Sequence, residues 1–327
     1  MIGYYVHHHG VGHLTRARSV AKHLSGPVAV LSSRPRPADI NPFADWIDLP
    51  MDTGDDASDP TAGGVLHWAP TRVPGMTSRM AAVAEWVGTH RPAAMVVDVS
   101  VEVSMFVRLM GIPVVVFAMP GERTDAPHLM AYRIADRIVA PWSDTVYRPD
   151  WLADVDEKTT YTGSISRHAD RTDGATTRDD ASVAVLAGAG GSQVTTDYLD
   201  LVGNHTPELS WRGIGIPGTP WVDDVWPLLT AAGVVVTHAG QNAVADVAAS
   251  GAPTVVIAEN RPYGEQLATA RALGQAGLAV ALDAWPAPDE WPDIMGRVRS
   301  MSGDIRAATR IDGAAARAAA AVDEVLA

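Results

Sequence analysis

Short apolar runs alternate with helix-periodic stretches along the whole chain, and polar, glycine-bearing turns fall where the runs end. That rhythm leads to parallel sheets wrapped by helices. Runs at residues 2–7, 28–31, 46–49, 94–97, 112–118 and 137–140 read as strands. Helical spacing separates them over 14–24, 77–90, 102–110 and near 128–135. Residues 51–74, rich in Asp, Gly, Thr and Pro without an apolar period, predict a long loop of the functional kind. Residues 148–161 are polar with no long apolar run and read as an interdomain linker. A second alternation follows, with strands at 183–186, 209–213, 234–237, 254–257 and 278–281 and helices near 195–202, 225–232, 242–250, 263–273 and 294–301. An Ala/Arg-rich helix over 314–326 closes the chain. The expectation is two doubly wound, Rossmann-like domains, residues 1–155 and 156–327, with a cleft between them.

Composition narrows the function. The 327 residues carry a net charge of −13, against the basic footprint a dedicated nucleic-acid binder needs. Cysteine is absent, which removes disulfides, thiolate zinc sites and Cys nucleophiles. The two lysines, Lys22 and Lys158, lie outside any G-x-x-x-x-G-K-[ST] loop, so a Walker-type NTPase is excluded. No basic n-region with an apolar h-region opens the chain, and the expected location is the cytoplasm. The negative charge opposes general attraction to anionic lipid, leaving peripheral membrane contact open through a loop carrying Leu66 and Trp68.

Ligands in open α/β sheets sit beyond the carboxyl ends of the strands, and four such places carry unusual residues. The first is His7-His8-His9-Gly10-Val11-Gly12-His13. Glycines at 10 and 12 permit a tight turn and close ligand approach. His13 falls at a helix start, where the positive helix end favours the neutral imidazole of a general base. His7 and His8 read as strand-end residues, and no nearby carboxylate has metal-ligand spacing. The second is the turn of Gly188, Ala189, Gly190, Gly191, Ser192 and Gln193, whose backbone N–H groups suit a diphosphate. Its spacing departs from G-x-G-x-x-G, which argues against a nicotinamide ligand.

The third place is His238-Ala239-Gly240-Gln241-Asn242, where a strand runs into a helix that would hold a phosphate at its free N–H groups. Asp246, one turn in, is placed either to accept ribose hydroxyls or to stand as an exposed first-turn acid. The fourth is the polar loop 258–266, with Glu265 and Gln266 carrying groups that read sugar hydroxyls, or simply a solvated loop.

Together, residues 238–273, Thr162-Gly163-Ser164 and Gly190-Gly191-Ser192-Gln193 resemble the C-terminal domain of family 28 glycosyltransferases, the MurG-like group. His9-Gly10-Val11-Gly12-His13 is similar to the glycine-rich loop that opens their N-terminal domain. The resemblance implies a GT-B fold, whose C-terminal helix can return to the N-terminal domain. It also implies inverting, metal-independent transfer from a nucleotide sugar, commonly a UDP-sugar, to an acceptor hydroxyl, with no cofactor. Three departures stand out: Asp246 replaces the usual Glu, the first loop differs from Gly-Gly-Thr-Gly-Gly-His, and Thr269-Ala270 replaces Asn-Ala.

On this reading His13 is the base and Asp98, ending a strand, orients it or caps a helix. His9, Gly10 and Gly12 face the acceptor. Gly190–Gln193, His238, Gly240–Asn242, Asp246, Glu265 and Gln266 hold the donor, with Trp221 near the nucleobase beside residues 214–222. The rival readings are a GT-B sugar-nucleotide epimerase and a non-catalytic nucleotide-sugar-binding subunit.

Overall fold

The computed structural model describes residues 1–54, 57–174, 177–188, 194–220 and 222–326. The expected turn residues Gly190, Gly191, Ser192 and Gln193, and Trp221, lie outside the described residues.

Among the described residues the strands form two parallel sheets, of seven and five strands. The first contains β1 (Ile2–Val6), β2 (Val28–Ser32), β3 (Asp45–Asp48), β4 (Ala94–Asp98), β5 (Val114–Phe117), β6 (Arg137–Ala140) and β7 (Thr159–Tyr161), in the order β3-β2-β1-β4-β5-β6-β7. The second contains β8 (Asp179–Leu186), β9 (Ser210–Ile214), β10 (Ala232–His238), β11 (Thr254–Ile257) and β12 (Val280–Leu282), in the order β12-β11-β10-β8-β9. In both, the strand order reverses beside a central strand, which is where a crevice opens. β1, β2, β4 and β5 are buried along their whole length, the signature of a parallel sheet covered on both faces.

The first sheet extends beyond residue 155, where the sequence places the division. The segment read as a polar linker contains a 3-10 helix, Asp150–Lys158, that buries Leu152 and Val155, and then β7, which pairs with β6. Two apolar residues three apart are too few to show as a period, yet enough to seat one short turn on the core. The chain also comes back. Helix Ala314–Asp323 packs Ala314, Ala318, Ala319, Ala321 and Val322 into the core beneath β1 and helix Gly12–Ala21. Arg137–Glu324 at 2.8 Å and the Ser25 hydroxyl donating to Asp323 at 2.9 Å fix its rim. The helix expected from residue 77 starts at Pro74, since proline suits a first helical position. Among the described residues no helix is long and apolar enough to cross a membrane.

Candidate active site

β1 runs into the histidine turn and then helix Gly12–Ala21, so His13 begins the helix's first turn at the mouth of the first sheet. Gly10 adopts φ +69°, a left-handed conformation natural to glycine. Arg34 anchors the turn by donating to the His8 carbonyl at 3.0 Å and to that of Gly10.

β4 pairs with β1 in register Val6↔Asp98, which brings the Asp98 carboxylate beside that helix. Asp98 is fully buried. It does not cap the next helix; Ser100 does, accepting from the Val103 N–H. Instead Asp98 Oδ1 lies 3.0 Å from His13 Nδ1. Nδ1 faces that carboxylate, which can only accept, and Arg16 Nη2 at 3.3 Å, which can only donate; the nearer carboxylate assigns the hydrogen to Nδ1 and leaves Nε2 with a lone pair.

A residue the sequence reading passed over completes the arrangement. Arg16, one turn after His13, donates from Nε to Asp98 Oδ2 at 3.0 Å and from Nη2 to Oδ1 at 2.5 Å. Its ring partner is Phe117, at 5.0 Å. Burial alone would raise the Asp98 carboxyl, but Arg16 and then His13 outweigh it and hold it well below the usual carboxylate range. Val99, directly after Asp98, sits at φ +69°. A β-branched residue there costs about 1–3 kcal/mol, strain of the kind retained at functional sites.

Across the cleft, β10 ends in His238 and helix Gln241–Ser250 begins with no side-chain cap at Gly240. His238 Nδ1 accepts from the Gly240 N–H at 3.1 Å. A Cβ at Gly188 would meet the imidazole at 2.5 Å, so the ring fills space a glycine vacates. Burial, then Arg261, lowers the His238 pKa to about 4, and the ring is neutral at pH 7.

The cleft between the halves measures about 340 Å³ and is lined by His9, Gly10, Gly12, His13 and Arg16 on one side. His238, Gly240, Gln241, Asn242, Asp246, Glu265 and Gln266 line the other, so every described residue predicted for the site except Asp98 faces one space. Ile214, Gly215 and Val222 of the segment predicted near the nucleobase are also in its wall. Asp98 stands behind it.

The two halves touch here. Arg16 Nη1 donates to Gln241 Oε1 at 2.9 Å, and a Cβ on Gly12 would lie 2.7 Å from Asn242 Nδ2. The Glu122 N–H donates to the Tyr263 carbonyl at 2.9 Å, and Arg123 reaches Glu265 at 3.4 Å.

Three predicted donor residues have partners of their own. Asp246 is buried rather than an exposed first-turn acid. It accepts from the Ser166 hydroxyl at 2.8 Å and pairs with Arg167 at 3.0 Å, while burial raises its pKa. Gln266 Oε1 accepts from the Glu259 N–H at 3.0 Å, which leaves its NH₂ for the cleft. Glu265 is also raised by burial, against the opposing pull of Arg123.

His67, Asp125 and His128 bring ligand atoms within 4.8 Å of one another, close enough for a metal ion. Their observed contacts are hydrogen bonds, His67–Asp125 at 3.1 Å and His128 Nδ1–Asp125 at 2.7 Å. Arg123 Nη1, 3.3 Å from His128 Nε2, needs that nitrogen as an acceptor, so Nδ1 carries the hydrogen and points to Asp125. A cation on Nδ1 would have to displace that proton.

Residues 179–290 match the glycosyltransferase family 28 C-terminal domain. No curated protein matches the sequence. Solved structures match along nearly all of both chains. The glycotransferase of kitacinnamycin is 15% identical with a TM-score of 0.67, covering 100% of this chain and 99% of that one. MurG of Acinetobacter baumannii is 14% identical with a TM-score of 0.62, covering 99% of each. UGT2 of Phytolacca americana, complexed with UDP-2fluoro-glucose and pterostilbene, is 16% identical with a TM-score of 0.62, covering 99% of this chain and 93% of that one.

Proposed function

We propose, starting from a glycosyltransferase of GT-B fold with a family 28 C-terminal domain, that this chain transfers a sugar with inversion from a UDP-sugar to an acceptor hydroxyl. The observation that carries the proposal is the His13–Asp98–Arg16 group facing the uncapped start of helix Gln241–Ser250 across one cleft. The first-sheet half holds the acceptor and the second-sheet half the donor. UDP is favoured because relatives of the same fold are described in complex with UDP-2fluoro-glucose and UDP-L-rhamnose.

His13 Nε2 takes the proton of the acceptor hydroxyl, and the hydroxyl oxygen forms a bond to the anomeric carbon. The bond from that carbon to the diphosphate oxygen breaks, and its electron pair leaves with the nucleoside diphosphate. Attack from the face opposite the leaving group inverts the centre. Asp98 keeps the Nδ1 hydrogen in place and stabilises the imidazolium that forms, as a fixed carboxylate does for a catalytic histidine.

The backbone N–H groups of Gln241 and Asn242, at the start of helix Gln241–Ser250, with Arg261 and Arg167 in the cleft wall, meet the charge growing on the diphosphate. The reading therefore needs neither a metal nor a cofactor, and a cytoplasmic setting supplies the nucleotide sugar. The test is a thermal-shift panel of UDP-, GDP-, TDP- and CDP-sugars. UDP-sugars are expected to raise the melting temperature most, because a ligand bound only to the folded state stabilises it. No shift with any nucleotide sugar would overturn the proposal.

A further inference from the structure

A second cavity, about 390 Å³, opens on the first-sheet side and joins the donor cleft at His9 and Met119, which line both. Its walls are rings: Tyr5, Trp68, Phe117, Tyr132 and Tyr263. Asp52, Thr53, His67 and Trp68, from the long loop predicted from the sequence, provide one wall, and Tyr263 from the second half closes another. That loop is held by Glu102, which accepts the N–H groups of His67 and Trp68 at 2.8 and 2.9 Å, and by the Trp68 indole donating to the Asp52 carbonyl at 2.9 Å.

The charges on the wall already have partners. Asp52 pairs with Arg79 at 3.0 Å. Besides the two backbone donors, Glu102 accepts the Ser100 hydroxyl at 3.1 Å. Arg123, the one Arg or Lys lining the cavity among the described residues, is buried. It donates to the Pro120 carbonyl at 3.2 Å, pairs with Glu265, and lies 4.3 Å from the Tyr263 ring centre. Burial keeps His7 near 3 and His128 near 4, both neutral at pH 7. An entering anion would lose its water, find no unpaired Arg or Lys among the described residues of the wall, and approach two carboxylates. His8, stacked on His7 at 4.6 Å, also lines the cavity, with both ring nitrogens turned away from solvent and no hydrogen-bond partner for either among the described residues.

We infer that this cavity takes the acceptor, and that the acceptor is an uncharged, ring-bearing hydroxyl compound rather than one carrying phosphate or carboxylate. Flat rings gain from the aromatic walls, and the hydroxyl emerges at the His9–Met119 junction toward His13. The inference rests on the glycosyl-transfer reading and adds the substrate class.

The test uses the intact protein with UDP present, titrated at pH 7 with 2-naphthol and with its anionic counterpart 6-hydroxy-2-naphthoate, followed by ligand and tryptophan fluorescence. 2-Naphthol is expected to bind at least about tenfold more tightly. His8→Arg should narrow that gap by strengthening the naphthoate. Trp68→Ala should weaken 2-naphthol about tenfold while Trp68→Phe retains most of the affinity. Equal or tighter binding of the naphthoate by the unaltered protein would overturn the inference, as would Trp68→Ala with unchanged affinity. Failure of 2-naphthol to bind while UDP-sugars still raise the melting temperature removes the acceptor class alone. Absence of any nucleotide effect removes the transfer reading beneath it.

Discussion

Each half of the molecule presents the same geometry to the cleft, an interior strand running through a short turn into a helix, and each fills it with different chemistry. After β1 the turn delivers ionisable side chains: His13 on a buried carboxylate that is itself held by a buried guanidinium. After β10 it delivers backbone N–H groups, with a neutral His238 packed between Gly188 and Gly240. The contrast is the one that the proposed transfer requires. Moving a proton requires a side chain whose tautomer is fixed by a neighbour, whereas holding a diphosphate requires donors that are already oriented and carry no bulk.

The sharpest way to break this comparison is to silence one turn and look for damage at the other. His13→Ala should lower kcat by about 10²–10⁴-fold, the usual contribution of a positioned base. The melting-temperature rise produced by a saturating UDP-sugar should remain. Near-normal turnover at saturating donor would take His13 out of the proton transfer. Loss of the donor effect would show that the two turns do not divide the work.

Arg16→Met probes the same division more finely, because Arg16 belongs to the first turn yet donates to Gln241 of the second. The groups facing it are Asp98, His13, Gln241 and the more distant Tyr4 and Glu265. Arg16 is the main cause of the lowered Asp98 pKa, so without it the carboxyl protonates at higher pH and no longer accepts the His13 Nδ1 hydrogen. The acid limb of the kcat/KM profile should therefore move to higher pH. Activity should fall most at low pH and least on the alkaline plateau. A purely structural arginine would lower the profile evenly. Stability should drop too, by about 3–5 kcal/mol if Asp98 stays ionised without its partner.

The frame of this site was legible in the sequence to an uneven degree. Residues 94–97 form an apolar run too hydrophobic for a surface strand, and Asp98 at its end stands out because a charge following such a run must be paired or exposed. Arg16 carried a signal that was available, since i and i+3 share a helix face and put it beside His13. It is easily taken for an ordinary polar position on an amphipathic helix. Contacts between the halves left no such trace. Arg123 and Glu265 are 142 positions apart, and neither neighbourhood alone suggests the other. Residues 148–161 read as a linker because Leu152 and Val155 are stabilised by the sheet they land on, not by a local period.

The smallest effect separates the two histidines by what their protons do. His238 titrates near 6.5 in an unfolded chain and at about 4 here, so the unfolded state binds the extra proton first. Its contribution to stability is whole above pH 6.5 and is lost as pH falls toward 4. His7 and His128, lowered to about 3 and about 4, act in the same direction from the first half. His238→Gln keeps an acceptor for the Gly240 N–H but cannot charge. Melting curves between pH 7 and 4 should then show a shallower decline than the unaltered protein, by a few degrees at the acid end. The pH dependence of turnover should keep its shape, because the proposed proton transfer does not pass through His238. An altered acid limb in His238→Gln, with the melting profile unchanged, would place His238 in the proton chemistry and erase the difference between the two turns.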